Sequence, residues 1–181
     1  NAFNPATDKN IFANYTIKNF KSKKAENKRK LQAELGLPVD DSKMMLGIVS
    51  RLTDQKGLDL INCVKDGIID DNVQLVIVGT GQPEYEQMFR DFAWCNHDHV
   101  SANIYYSETL ANKLYAGADA MLVPSKFEPC GLTQLISLRY GTVPIVRETG
   151  GLKDTVQPYN EYEKTGTGFS FCNYNAHEML Y

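Results

Sequence analysis

From Lys43 onward the chain alternates short apolar runs with amphipathic ones, and this alternation limits its fold more than any other feature. MMLGIVS (44–50), VQLVIVG (73–79), ANIYY (102–106), DAMLVPS (119–125) and TVPIVRE (142–148) have strand length and are apolar almost throughout. Between them lie GLDLINCVKDGIID (57–70), PEYEQMFRDFAWCN (83–96), ETLANKLYAGA (108–118) and GLTQLISLRYG (131–141), whose apolar residues fall at helical intervals. In the second of these, Tyr85, Met88, Phe89, Phe92 and Ala93 share one side. A strand that is apolar on both faces must be covered on both faces, so such strands joined by helices imply a parallel sheet between two helical layers. With right-handed crossovers this is an α/β fold, a doubly wound parallel sheet with helices on both faces, Rossmann-like.

Residues 1–43 read as an amino-terminal extension with a basic helix leading into a domain at 44–181. Asn4-Pro5 and Thr7-Asp8 punctuate a turn. Lys18, Lys21, Lys23, Lys24, Lys28, Arg29 and Lys30 then form a basic stretch, in which Leu31 and Leu35 keep helical spacing and Gly36 suits a helix end. The basic run reads as the solvated face of that helix, with an anionic-ligand or polysaccharide contact as the alternative. Past GGLKDTV (150–156) come a polar loop, a short strand GFSF (168–171) and a helical pattern that reaches the last residue uncapped. With no initial Met, the chain is expected to be a piece of a longer protein, truncated at its carboxyl end.

Composition narrows the function. A length of 181 residues suits one domain, and 19 Lys+Arg against 22 Asp+Glu argue against a nucleic-acid coat. No apolar run reaches membrane-spanning length, and the first residues lack a signal-peptide pattern. Cys63, Cys95, Cys130 and Cys172 are widely spaced, with no CxxC, and His97 and His99 read as a surface loop, so a metal site is not expected. Dispersed thiols suit a reducing cytoplasm.

Doubly wound sheets bind ligands beyond the carboxyl ends of their strands, so the residues that follow the strands carry the functional signal. After the first strand, Arg51 and Lys56 stand on one loop ahead of a helix; they suit a diphosphate, or are simply surface cations. Gly79-Thr80-Gly81 after the second strand is not GxGxxG and reads as a strand–turn–helix joint. After the fourth, Glu128 precedes Gly131, Leu132 and Thr133, whose amides would open a helix N-terminus to an anion. Glu128 would reach the group attached to that anion, or would cap the helix. Cys130 reads as a small packing residue rather than a nucleophile. Gly150-Gly151 after the fifth strand reads as a tight turn beside polar groups.

SRLTDQKGLDL, VGTGQPEYE, LYAGADAMLVPSKFEPCGLTQL, YGTVPIVRETGGLKDTV and TGFSF, in this order, resemble bacterial glycogen synthases and plant starch synthases over the whole chain, in wording closer to the bacterial branch. The resemblance implies the carboxy-terminal, nucleotide-sugar-binding half of a two-domain GT-B glycosyltransferase. That family transfers glucose from ADP-glucose to an α-1,4-glucan acceptor with retention and without a metal or other cofactor, which implies a bacterial cytoplasmic enzyme. It implies catalytic roles for Arg51 and Lys56 on the diphosphate and for Glu128 facing the glucose. It also implies phosphate binding by the Gly131, Leu132 and Thr133 amides and adenine stacking by Tyr106. Related retaining transferases carry a second Glu eight residues on to hold the ribose; Ile136 stands there, as expected of this branch, and leaves the ribose unassigned. The amino-terminal GT-B domain, with its Lys-Thr-Gly-Gly-Leu motif and acceptor groove, is not in this sequence, so the chain by itself is expected to be inactive. The rivals are a nonenzymatic nucleotide- or sugar-binding module and a dehydrogenase, the latter lacking GxGxxG after its first strand.

Overall fold

The computed structural model describes residues 3–181. The apolar runs form β1 (Met44–Val49), β2 (Val73–Val78), β3 (Val100–Asn103), β4 (Ala120–Val123), β5 (Val143–Arg147) and β6 (Phe169–Phe171). They make one sheet in the order β3-β2-β1-β4-β5-β6, with every pair parallel. The helices are α1 (Phe20–Leu35), α2 (Leu58–Ile68), α3 (Pro83–Cys95), α4 (Glu108–Gly117), α5 (Thr133–Arg139), α6 (Gly150–Thr155) and α7 (Ala176–Leu180).

Alternate residues of the central strands feed two cores, as the expected double cover requires. Met45, Val76, Val78 and Met121 pack with Leu31, Leu114 and Tyr140 on one face. Leu46, Ile48, Leu75, Ile77 and Leu122 pack with Leu58, Ile61, Phe89 and Phe92 on the other. Gly47 lacks a side chain because Met121 and Leu114 occupy the space a Cβ would need.

Three expectations need correction. The third strand lies at 100–103 rather than 102–106: Val100 is buried opposite Leu75, and Tyr105 and Tyr106 have left the sheet for solvent. β3 is an edge strand paired on one side only, so aromatic residues beyond it gain no ladder to stay in. The turn expected at Gly150-Gly151 opens the short helix α6, anchored by buried Leu152. The basic stretch is not wholly solvated. Lys24 and Lys28 share the Leu31 face of α1 and turn inward. Lys28 pairs with Asp119 at 2.7 Å, and Lys24 Nζ donates to Thr142 Oγ1 at 2.7 Å and to the last carbonyls of α4. Burial there pushes the Lys24 ammonium down to about 7.

Packing also runs across residue 43. Ile11, Tyr15, Leu31 and Leu37 belong to the first core, and Asp8 accepts from Tyr140 Oη at 2.5 Å and Asn112 Nδ2 at 3.0 Å. Gly36, at φ 72°, ends α1 as its sequence position suggests, and Leu37 N–H closes back on the Gln32 carbonyl at 2.9 Å.

Candidate active site at the sheet switch point

β1 and β4 are neighbours in the sheet, yet the chain leaves them toward opposite helical layers, β1 into α2 and β4 into α5. The divergence opens a crevice at their carboxyl ends. A cavity of about 390 Å³ fills it, and Arg51, Lys56, Glu128, Gly131, Leu132 and Thr133 all contribute to its lining.

The loop after β1 is braced from behind by Gly79-Thr80-Gly81. Leu52 N–H donates to the Thr80 carbonyl at 2.8 Å, and Gln82 N–H returns a bond to Leu52 at 2.7 Å. A Cβ on Gly79 or Gly81 would lie 1.9 Å from the Ser50 carbonyl oxygen or 2.2 Å from that of Leu52. These glycines are therefore a joint between backbones, and the joint supports the loop that carries Arg51. The Arg51 side chain is exposed at the cavity and has no ion-pair partner among the described residues.

Lys56 ends a 3-10 turn (Asp54–Lys56) and is followed by Gly57 at φ 74°. A Cβ on Gly57 would stand 2.0 Å from the Pro124 carbonyl oxygen, so the loops after β1 and β4 touch at this point. The contact delivers Lys56 Nζ to Glu128 Oε2 at 2.5 Å, with the two side chains 21% and 15% exposed. Ser125 Oγ donates to the same oxygen at 3.3 Å. Glu128 thus faces a cation inside the cavity and does not cap α5, whose N-cap position is Leu132 and receives no side-chain cap.

Gly131, at φ 65°, turns the chain into α5. Among the described residues, the N–H groups of Gly131, Leu132 and Thr133 donate no hydrogen bond. Their donors are unspent at the cavity wall, which gives it a positive edge in addition to Arg51.

Two groups support the site: Gln134, which sequence alone does not single out, and the Gly150-Gly151 pair, which reads there only as a tight turn. Gln134 is fully buried, and its Nε2 donates to the carbonyls of Gly131 at 2.8 Å and Cys130 at 3.1 Å and to Thr155 Oγ1 at 3.2 Å. Gly150 and Gly151 let α6 press directly on the Glu128 turn: Gly151 N–H donates to the Glu128 carbonyl at 3.1 Å. A Cβ on Gly150 would fall 2.3 Å from that oxygen, and one on Gly151 2.4 Å from the Cys130 oxygen. The doubled glycine after a strand was the available signal; its partner loop was not.

Tyr106 is not brought to this cavity. It follows the edge strand β3, two strands away from β1, and is 87% exposed. Cys130 lines the cavity but is exposed, not the packing residue expected. His97 lies on the surface, and a ring nitrogen of His99 lies 3.2 Å from the Val73 carbonyl.

The sequence model of the family described as glycosyl transferases group 1 matches residues 27–180. Glycogen synthases of Lachnospira eligens and Lachnoclostridium phytofermentans are 64% and 61% identical to this chain, over 98% and 99% of its length. The chain spans 37% of the length of each of these relatives. Among solved structures, the catalytic domain of starch synthase IV from Arabidopsis thaliana, bound to ADP and acarbose, matches with a TM-score of 0.89 and 35% identity, over 98% of this chain and 37% of that one. Sucrose-phosphate synthase from Thermosynechococcus elongatus, at 24% identity and a TM-score of 0.65 over 83% of this chain and 37% of that one, shares the fold.

Proposed function

Because the chain belongs to the glycosyl transferases group 1 family, we propose that it is the donor-binding half of a retaining glucosyltransferase that elongates α-1,4-glucan from ADP-glucose. The observation that carries this reading is the convergence of Arg51, the Lys56–Glu128 pair and three unspent amides on one switch-point cavity. Such a set is suited to a nucleoside diphosphate joined to a sugar.

In this reading the diphosphate lies against Arg51 and the amides of Gly131, Leu132 and Thr133, and draws on the charge of Lys56. Negative charge grows on the leaving ADP as the glycosidic bond breaks, and fixed cations stabilise that charge without reorganising. The donor glucose develops positive charge at its anomeric carbon, and the Glu128 carboxylate offsets it. The Lys56–Glu128 contact serves both ends, since it holds each charge in place before the donor arrives. No metal or other cofactor has a part in the proposal, because Arg51 and Lys56 take the neutralising role. Tyr106 is assigned to the adenine by resemblance; its ring is almost wholly exposed and so available to stack.

The glucan acceptor and the amino-terminal GT-B domain belong to the same proposal. The span of 37% of the relatives' length supports a longer parent enzyme. Its bacterial relatives and dispersed thiols support a cytoplasmic setting, and no described helix is long and apolar enough to cross a membrane.

The test is glucosyl transfer from ADP-glucose to glycogen by the full-length protein and its Glu128→Gln variant. The wild type should elongate glycogen. Glu128→Gln keeps the shape but loses the charge, so turnover should fall by orders of magnitude with ADP affinity unchanged and the melting temperature lowered no further than loss of the Lys56–Glu128 pair accounts for. A wild type that binds ADP but transfers nothing would make the protein a binding module instead.

A further inference from the structure

Arg147 lies at the carboxyl end of β5 and takes no part in lining the cavity, yet it is tied to the turn that carries Glu128. Nε donates to the Ser125 carbonyl at 3.0 Å, Nη2 donates to the Lys126 carbonyl, and Nη1 reaches the Cys172 carbonyl at 3.4 Å. The guanidinium lies over the Tyr174 ring at 5.5 Å, and the Tyr174 hydroxyl donates to Asp59 on α2. Each nitrogen of Arg147 is thus engaged by a main-chain oxygen.

The segment from Pro124 to Leu132 belongs to no helix or strand, so no ladder fixes its path. Cross-ties to its main chain do so instead: Arg147 to Ser125 and Lys126, Lys126 N–H to the Gln55 carbonyl at 2.9 Å, Gly151 N–H to the Glu128 carbonyl at 3.1 Å, and Gln134 Nε2 to the Cys130 and Gly131 carbonyls. Gln134 holds the part of the segment after Glu128, and Arg147 supplies the side chain that holds the part before it. The planar fork of Arg147 holds two successive carbonyls and a third from another segment in one fixed plane, a pre-organised geometry that a flexible ammonium lacks. Peptide carbonyls give it no counter-charge, so the arrangement selects geometry over ion pairing.

We propose that Arg147 is a positioning residue that sets the 125–128 turn and thereby the place of the Glu128 carboxylate beside Lys56. The proposal rests on the reading of Glu128 as the carboxylate that faces the donor sugar. Misplacing a reacting group by about 1 Å commonly costs on the order of 10²-fold in rate. Arg147→Ala should therefore lower kcat by about that factor. Arg147→Lys should recover part of it, and neither should change ADP affinity.

The experiment is a double-mutant cycle in the full-length protein, with Arg147→Lys and Glu128→Gln made singly and together, and kcat, ADP affinity and melting temperature measured for each. If Arg147 acts through Glu128, Arg147→Lys lowers kcat in the wild type and adds no further loss in the Glu128→Gln background. Independent, additive losses, or a loss of ADP affinity equal to that in kcat, would overturn the proposal. So would wild-type turnover in Arg147→Lys and Arg147→Ala alike. Should Arg147→Ala not fold, the Lys cycle alone decides. Wild-type turnover in Glu128→Gln would instead overturn the reading of Glu128 and take this proposal with it, a result the single variant identifies on its own.

Discussion

At the scale of single residues, the two cavity cations are not equivalent, although the sequence presents them as a pair. Arg51 has no counter-ion among the described residues, whereas Lys56 holds a carboxylate that is only 15% exposed. Removing Lys56 therefore does two things: it takes a charge from the donor site and leaves Glu128 partly buried without its cation. Arg51→Ala should lower turnover, by on the order of 10²-fold, and leave the melting temperature unchanged. Lys56→Ala should lower turnover by a similar factor and also cost roughly 1 kcal/mol of stability, discounted for the residual solvent at the pair. Steady-state kinetics and thermal melts on both variants check this. Equal melting temperatures for the two would mean that the Lys56–Glu128 pair contributes nothing to the fold. Residue types and their places after strands were legible in the sequence. The pairing was not, since Lys56 and Glu128 are 72 positions apart and meet only because two loops touch.

At the scale of elements, that touch depends on Gly57. It has φ 74°, and an added methyl would also strike the Pro124 backbone oxygen. Gly36, at φ 72°, has open space around it and serves as a control for the backbone conformation alone. Gly36→Ala should cost about 1 kcal/mol, the strain of a left-handed alanine. Gly57→Ala should cost clearly more, because the loops after β1 and β4 must separate. It should also lower turnover, since Lys56 is carried on the displaced loop. Denaturant titrations of both variants give the comparison, and equal losses would show that the loops yield freely. The helices and strands were readable from periodicity because a two-faced sheet writes its pattern locally. β3 was misplaced because an edge strand is held on one side only. α6 was missed because its glycines answer to the Glu128 turn rather than to their own neighbours.

At the scale of the whole molecule, the sheet order β3-β2-β1-β4-β5-β6 puts the switch point between β1 and β4, where the charged residues collect. The double winding was legible from apolar strands and amphipathic helices. The integration of residues 11–37 into the first core was not, since Ile11, Tyr15 and Leu37 lie outside the helical spacing that Leu31 and Leu35 keep. In the proposed function, this cavity holds the diphosphate of a nucleotide. An ADP titration of the chain, followed by backbone amide NMR, tests it most directly. Binding by one half of a cleft should be weak, with shifts concentrated at Gly131, Leu132 and Thr133 and on the Arg51–Lys56 loop, and should fade in Arg51→Ala. Shifts that cluster elsewhere, or that leave those three amides unmoved at saturating ADP, would place the diphosphate outside this cavity.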